Sequence, residues 1–600
     1  MAGFPKRTVT CGALRGVDAG RNIVINGWVD TVRDHGGLLF LDVRDRFGIT
    51  QVVVDPDEVG EELLETARKL KSEWVVAIGG AVRARPGETV NADLPTGEVE
   101  VKVHGLEVLN PSKTPPFVLS DDVSVSDEVR FKYRYLDLRR PGLRRSLELR
   151  HEFFLALRKA LAADDYVEVE TPMLTRMTPE GSREYVVPSR VHPGRFYALP
   201  QSPQVFKQLI MVGGMDKYFQ IARCLRDEDL RADRQPEFTQ LDVELSFAEE
   251  EEVYAIIEKV SSAAIHEVFG REVKTPFPRL TWHESMDRFG LDKPDLRFGL
   301  EIKDLSDALG GCGFKVVDSV LEAGGLVRGL VVEGGASSMS RKKIDELTAF
   351  VNDYGAKGLA FLKQDDAGTL AGPLTKFVDD DRKAKLAEVA GFGPGDLLLV
   401  VADKAGVVHR SLGELRNELA RRLDLIPKDG ALEFVWITEF PMFEWSEEEG
   451  RWVTSHHPFT MPLEAVPGQL ESDPGGIIAR AYDLVLNGWE LGSGSVRIHQ
   501  RELQQRIFTA LGIPDEEAQS KFGFFLEAFE FGAPPHSGIA LGMERLLALL
   551  LGKPNIRDLV AFPKTASASC LMTGAPAEVP PETLAELDLE ITGDDPAPDQ

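Results

Sequence analysis

The sequence predicts a multidomain α+β protein, and three features carry that reading. Six hundred residues are too many for one ordinary hydrophobic core, so three or four domains are expected. Five short alternating apolar runs crowd the first 106 residues, the pattern of a small closed β-barrel. Between about Lys293 and Pro427 short strands alternate with helices, as in a separate α+β unit.

The totals narrow the functional classes. At 43% apolar and 28% charged, the composition is that of a soluble globular chain. No apolar run is long enough to span a bilayer and no signal peptide is evident, so no membrane partner is expected. Four cysteines (Cys11, Cys224, Cys312, Cys570) lie far apart without CxxC spacing. That argues against a disulfide framework or zinc site and makes the reducing cytoplasm the expected location. A formal charge of −28 argues against indiscriminate coating of nucleic acid but leaves room for a specific RNA ligand. No GxxxxGK[ST] loop is present, so an ATP site must be of another kind.

Taken in order, the barrel strands are Asn22–Val29, Leu38–Val43, Ile49–Val54, Val75–Ala84 and Val99–Val103, with one helix at Glu58–Lys71. Asn110–Pro116 is a proline-rich boundary. From about Leu143, apolar residues at helical spacing (Leu147, Leu149, Phe153, Leu157, Leu161) predict one long helix. Its basic cluster Arg139, Arg140, Arg144 and Arg145 is either a nucleic-acid contact or a solvated face. Tyr166–Pro172 alternates like a strand. Ser202-Pro203 is cap-like and opens a helix on which Gln204 and Lys207 share a face. Tyr218–Ala222 and Phe238–Leu245 read as paired strands flanking a loop that holds Arg226, Arg231 and Arg234 beside Asp227, Glu228, Asp229 and Asp233. That loop is either a solvated hairpin tip or a polyphosphate clamp, with Phe238 available to stack on a purine. Asp483 and Glu490 are seven apart; they share a face if helical, but Asn487-Gly488 between them also allows a strand or bent geometry. From about Ala575 the chain is rich in Pro, Glu and Asp and is expected to be disordered.

Several stretches together resemble one family. YFQIARCLRDEDLRADRQPEFTQLDVE resembles the second signature motif of class II aminoacyl-tRNA synthetases (the aspartate, asparagine and lysine subgroup), in its bacterial aspartyl form. YVEVETP, ending at Pro172, resembles the first motif, which in the family forms the dimer interface. GIALGMERLLALL resembles the third. WVDTVRDHGGLLFLDVRDRFGITQVVVDPD resembles the family's anticodon-binding OB-fold domain, and GGAS with YGAKGLA resembles the GAD-like domain inserted in the bacterial form. The implied layout is an OB-fold barrel over 1–106, a hinge over 107–142, and an antiparallel-sheet catalytic domain over 143–292 and 428–574. The inserted α+β domain covers 293–427, and an acidic tail covers 575–600.

The resemblance also assigns roles. It implies aspartate contacts at Glu180, Ser202, Gln204, Val205, Phe206, Lys207, Arg226, His456 and Arg497. ATP would meet Arg226, Asp227, Glu228, Gln235, Phe238, Glu490, Gly542, Met543, Glu544 and Arg545, with Arg226 and Arg545 catalytic. Asp483 and Glu490 would hold Mg2+ through ATP; hard carboxylate oxygens suit that ion. Gly542 would allow close backbone approach. Arg33, Phe40 and Gln51 would read the anticodon. His35 and Glu88 fall where the family separates enzymes charging one tRNA from those charging two; histidine marks the relaxed kind, and Glu88 matches neither pattern. The implied function is an aspartate–tRNA ligase that works as a homodimer on tRNA(Asp), with tRNA(Asn) added on the strength of His35. The rival readings are an asparagine–tRNA ligase and a non-catalytic RNA-binding paralogue. Lys207 and Arg497 speak against the first, because two cations around a neutral amide leave buried groups unpaired. Arg226, Glu228, Glu490 and Arg545 together speak against the second.

Overall fold

A computed structural model describes residues 4–178, 182–463 and 468–592, and the chain divides into two compact units, Met1–Arg144 and Arg145–Gln600. In the first unit, strands β1 (Asn22–His35), β2 (Leu38–Asp45) and β3 (Gly48–Val54) are followed by helix α1 (Glu61–Lys69) and strands β4 (Val75–Ala84) and β5 (Val99–Asn110). They close a barrel in the order β1-β2-β3-β5-β4. Alternation does the sorting: Leu39, Leu41 and Val43 fill the interior with Ile23, Ile25, Val52, Val54 and Ile78, and their neighbours face outward. The last strand runs to Asn110, so the barrel does not stop at residue 106.

The basic cluster before the long helix is engaged within the protein. Arg139 pairs with Glu73 at 2.8 Å and lies 4.9 Å from the Trp28 ring centroid. Arg140 meets Asp137 and Asp121, and Arg145 meets Glu152 at 3.1 Å. These arginines have structural partners and are not simply a solvated face.

The boundary between the units falls within helix α2 (Pro141–Ala162). The second unit continues with β6 (Val167–Glu168), α3 (Gln204–Val212), β7 (Lys217–Leu225), β8 (Glu237–Ser246), α4 (Glu250–Phe269) and β9 (Arg279–Thr281). After the insertion come β10 (Phe434–Thr438), β11 (Ala481–Leu486), β12 (Trp489–Val496), β13 (His536–Gly542) and α5 (Met543–Leu550). Eight strands form one sheet in the order β9-β10-β11-β12-β13-β8-β7-β6. Its interior pairs are antiparallel and its two edge pairs, β9 with β10 and β6 with β7, are parallel. The strand expected over Tyr166–Pro172 shrinks to two residues because only Val167 and Glu168 reach the sheet edge. Helices α2, α4 and α5 cover one face through Phe153, Leu157, Val253, Ile257, Leu546 and Leu547. On β8, Leu241, Val243 and Leu245 point into that core, so Phe238, Gln240, Asp242 and Glu244 belong to the opposite face.

The insertion is a five-stranded antiparallel sheet ordered Lys303–Asp304, Leu326–Val332, Leu397–Asp403, Ala360–Gln364, Leu370–Ala371. Its central run Leu397–Val401 is apolar throughout because both faces are covered. Leu397, Leu399 and Val401 pack on the helices Arg341–Asn352 and Ala405–Arg422, while Leu398 and Val400 pack on Lys315–Glu322 and Asp380–Ala390. Arg416, on the helix Ala405–Arg422, pins the chain that enters this domain. It donates to the carbonyls of Asp295, Phe298, Gly299 and Leu300 at 2.7–3.2 Å and lies 4.1 Å from the Phe298 ring centroid. Burial lowers its pKa to about 10.

At the C-terminus the expected disorder is interrupted by a helix, Pro581–Glu586, none of whose residues is buried. No helix among the described residues is long and apolar enough to cross a membrane.

Arg416→Met keeps much of the volume and removes four carbonyl partners. It should destabilise the second unit by about 3 kcal/mol, since each abandoned buried acceptor costs roughly 1–3 kcal/mol. Calorimetric melting would show the shift, and an unshifted transition would contradict the pinning role.

Candidate active site

The uncovered face of the large sheet forms a cleft of about 390 Å³. Helix α3 supplies Gln204 and Lys207, the β7–β8 hairpin supplies Arg226, Glu228 and Phe238, β12 supplies Glu490 and Arg497, and β13 with α5 supplies Gly542 and Arg545. Ser202, Gln235, His456 and Glu544 also line it. Residues as far apart in sequence as Ser202 and Arg545 therefore meet in one cavity.

At the floor, four ionisable groups are packed together. Lys207 Nζ lies 2.8 Å from Asp242 Oδ1 and 3.2 Å from Glu244 Oε2, and Arg497 Nε lies 3.0 Å from Glu244 Oε1. All four side chains are essentially inaccessible to solvent. Burial alone would raise the Glu244 pKa, but Arg497 and Lys207 outweigh it and hold the carboxyl at about 2. Asp242 is pushed up by burial, against which Lys207 pulls down. Arg497 is held above its usual value: burial works against the charge and Glu244 overcomes it. Gly538 makes this possible. It sits opposite Glu244 on one side and Ser495 on the other, and a Cβ there would collide with the Glu244 carboxylate. With no side chain in between, Glu244 crosses β13 to reach Arg497.

The outer part of the cleft differs. Asp483 and Glu490 lie on the two arms of the β11–β12 hairpin, which settles their geometry as strands and not a shared helical face; Glu490 lines the cleft, whereas Asp483 is buried behind Ser493, whose hydroxyl it accepts, and does not. The turn is Asn487-Gly488, with φ of 52° and 83°, the backbone that a tight hairpin requires and that this dipeptide favours. Burial drives the Asp483 pKa well above the ordinary carboxylate range, and the like charge of Glu490 adds to it. Arg545 donates to the Glu490 carbonyl at 3.0 Å and pairs with Asp233 at 3.1 Å. The Arg226 guanidinium lies 5.2 Å from the Phe238 ring centroid. Glu228 receives the Ser182 hydroxyl and pairs with Arg234 at 3.0 Å.

Three buried polar atoms facing this cleft have no partner among the described residues: Arg226 Nε, Ser455 Oγ and His456 Nε2. Buried polar groups are nearly always satisfied, so orphans converging on one cavity point to a polar, partly anionic ligand. Burial lowers the His456 pKa to about 4, leaving a neutral ring whose Nδ1 faces the Ser493 hydroxyl at 3.1 Å.

Several expected contacts are not in the cleft. Val205 packs with Phe459, Phe508 and Phe522, and neither Val205 nor Phe206 lines the cavity, because helical pitch turns that side of α3 away while Gln204, Lys207, Gln208 and Met211 face inward. Met543 is fully buried in the core beneath the sheet. Asp227 is exposed and outside the cavity. Glu544 and Gln235 border the cleft but are committed elsewhere: Glu544 binds the Thr239 amide at 3.0 Å and Arg150 at 2.8 Å, and Gln235 exchanges two bonds with the Lys564 backbone. A Cβ at Gly542 would meet only ordinary contacts at 3.4 Å and 3.9 Å, so its smallness is not forced by the protein itself. Ser202 borders the cavity without capping α3, whose N-cap residue is Pro203. Glu180 lies outside the described residues. Asp242, Glu244, Gln208 and Ser455 escaped the sequence reading, and His457 was passed over for its neighbour His456, although both line the cleft. The first two had a visible signal, since they continue the two-residue period that starts at Phe238.

On the barrel, Arg33 stands opposite Phe40 on paired strands, Asp42 stands opposite Gln51, and all share one outer face. The His35 and Phe40 rings meet edge to face at 5.7 Å. Arg33 pairs with Asp42 at 2.9 Å, and Gln51 donates to Glu100 at 2.9 Å. Glu88 is exposed on the short turn Gly87–Thr89, with no hydrogen bond or ion pair to that face among the described residues.

Barrel, sheet and cleft define a class of protein, and comparison with known families agrees. Residues 126–566 match the model "tRNA synthetases class II (D, K and N)" and residues 23–109 match "OB-fold nucleic acid binding domain". A protein of Desulfatibacillum aliphaticivorans named aspartate–tRNA(Asp/Asn) ligase is 52% identical, covering 99% of both chains. One of Geobacillus kaustophilus named aspartate–tRNA ligase is 51% identical over 98% of this chain and 99% of its own. The asparaginyl-tRNA synthetase structure of Pyrococcus horikoshii shares the fold, with a TM-score of 0.58 at 19% identity over 93% of this chain and 98% of that one. The chain belongs to the class II aminoacyl-tRNA synthetases and, within them, to the bacterial aspartate–tRNA ligases.

Glu244 supplies a pH test. With its folded pKa depressed from 4.5 to about 2, its stabilising contribution is complete above pH 4.5 and is lost as the pH falls toward 2. Asp242, raised from 3.8, acts in the opposite sense and costs stability as the pH rises. Glu244→Gln should therefore destabilise the protein more at about pH 7 than at about pH 3. Urea unfolding at the two pH values measures this, and an equal loss at both would contradict the pairing.

Proposed function

We propose that the cleft activates L-aspartate with ATP and passes the aspartyl group to the 3′ end of tRNA(Asp). The supporting observation is the pair Lys207 and Arg497 buried on either side of Glu244. An aspartate side-chain carboxylate entering there would approach Lys207 and Arg497, both of which line the cleft. An asparagine amide would instead turn its own donors toward donors, and each such mismatch costs roughly 1–3 kcal/mol.

The chemistry is mostly positioning and charge stabilisation. The aspartate α-carboxylate oxygen attacks the α-phosphorus of ATP, and the bond from that phosphorus to the bridging oxygen breaks to release pyrophosphate. Arg226, with Nε unpartnered, stabilises charge on the α-phosphate, and Arg545 serves the outer phosphates. Phe238 offers its ring to the adenine. The donor set of Asp483 and Glu490 would suit Mg2+: both carboxylates sit on one hairpin, near enough that Glu490 raises the Asp483 pKa, and a nearby cation would relieve that repulsion. The chemistry such an ion would supply is neutralisation of phosphate charge. The 3′-terminal adenosine hydroxyl oxygen then attacks the aspartyl carbonyl carbon, the bond from that carbon to the phosphate oxygen breaks, and AMP leaves as the hydroxyl proton is lost.

The barrel face around Phe40 is the anticodon reader in this scheme, and His35 beside it supports acceptance of tRNA(Asn) as well. Exposed Val167, Met173, Leu174 and Met177, flanking the first motif, support a homodimer. Four free cysteines fit a cytoplasmic location.

Arg226→Ala should reduce aspartate-dependent ATP–pyrophosphate exchange by at least about 100-fold with the melting curve retained; near-normal exchange would refute the phosphate role. Phe40→Ala should weaken tRNA charging about tenfold or more while sparing exchange, as loss of one base stack does; equal loss in both assays would contradict the division of labour. Charging assayed on pure transcripts should proceed on both tRNA(Asp) and tRNA(Asn), and a background rate on tRNA(Asn) would limit the enzyme to one.

A further inference from the structure

A buried polar chain runs from the end of β13 to the cleft. His536 Nδ1 lies 2.7 Å from the Pro534 carbonyl, which can only accept, so the proton is on Nδ1. Its Nε2 is then a lone pair facing the Gln208 amide nitrogen at 3.0 Å. Gln208 Oε1 in turn receives the Gln204 amide nitrogen at 2.9 Å. His536 and Gln208 have no exposed surface and Gln204 retains 7%. No link can be reversed alone, because each reversal would set donor against donor or acceptor against acceptor. The backbone carbonyl of Pro534 therefore dictates which end of the Gln204 amide is tied down and which is left over. What is left over, at the cleft, is an acceptor oxygen. Burial, with help from Arg497 and His499 and against Glu244, keeps His536 below its usual pKa, and so neutral.

We propose that His536 and Gln208 are positioning residues that hold the Gln204 carbonyl toward the α-ammonium of the amino acid, so that the site distinguishes an amino acid from the same diacid lacking nitrogen. Released from the chain, the Gln204 amide can rotate and present its NH2 to a cation. The proposal rests on the reading of this cleft as the aspartate site. It goes beyond that reading in assigning specificity to two residues that touch no substrate.

The test uses succinate, which is aspartate without the ammonium. The full-length protein, Gln208→Met and His536→Asn are compared for the aspartate KM and the succinate inhibition constant in ATP–pyrophosphate exchange, with melting curves for each. Gln208→Met conserves volume and removes both hydrogen bonds. His536→Asn can still donate to Pro534 but presents nothing at Nε2. Both variants should raise the aspartate KM by about tenfold or more, the range for a hydrogen bond to a charged group, and leave the succinate constant and the ATP KM within about twofold. A purely structural role predicts that aspartate and succinate weaken together, and that result, or an unchanged aspartate-to-succinate ratio in Gln208→Met, would overturn the proposal. Absence of aspartate-dependent exchange in the unmutated protein would instead overturn the reading of the site.

Discussion

The second unit is arranged around one buried ionic contact, Lys207 and Arg497 closing on Glu244. Taking ions out of water costs several kcal/mol each, and the attraction between them repays this only when geometry is tight and remaining donors are satisfied. The fold meets those conditions with specific devices. Gly538 leaves the gap through which Glu244 passes. Ser495 and the Gly538 carbonyl accept the spare Arg497 protons at 2.6 Å and 3.2 Å. Removing any one part leaves a charge stranded in a dry place. The same arrangement that makes the sheet demanding to assemble fixes the positions of Lys207 and Arg497, both of which line the cleft.

Around that floor, function is divided by face. One side of the sheet is given over to α2, α4 and α5 and is mainly apolar packing. The other carries chemistry, and strand alternation keeps the two apart without further instruction. The insertion repeats the economy with a different outcome: its sheet is covered on both faces, so its central strand has no side left for a site. Arg416 ties this unit's own entering chain, Asp295 to Leu300, to its helix Ala405–Arg422.

Much of this was legible from the chain. The barrel strands followed from alternation, the long helix from its apolar stripe, and the insertion from its change of rhythm. Arg226, Lys207, Phe238, Glu490, Arg497 and Arg545 do line one cleft. The errors have a common source. Val205, Phe206 and Met543 adjoin true lining residues in sequence, but a helix turns consecutive side chains through about 100°, so neighbours in the chain face different surroundings. Asp483 and Glu490 admitted two geometries until the Asn487-Gly488 turn resolved them into hairpin arms. The helix at Pro581–Glu586 shows that a Pro- and Glu-rich stretch can still form a turn or two without packing.

By itself the sequence determined the periodicities: which residues alternate, which fall on one side of a helix, and which short motifs occur in which order. These are local properties, set by backbone geometry over a few residues. Only the tertiary structure decided the partnerships. That Glu244 answers Arg497 from 253 positions away, that Gly538 must be bare for it to do so, and that Pro534 orients an amide on α3 all depend on which strands become neighbours. Strand neighbours are chosen by the burial of the whole core, and no local window of the chain contains that information.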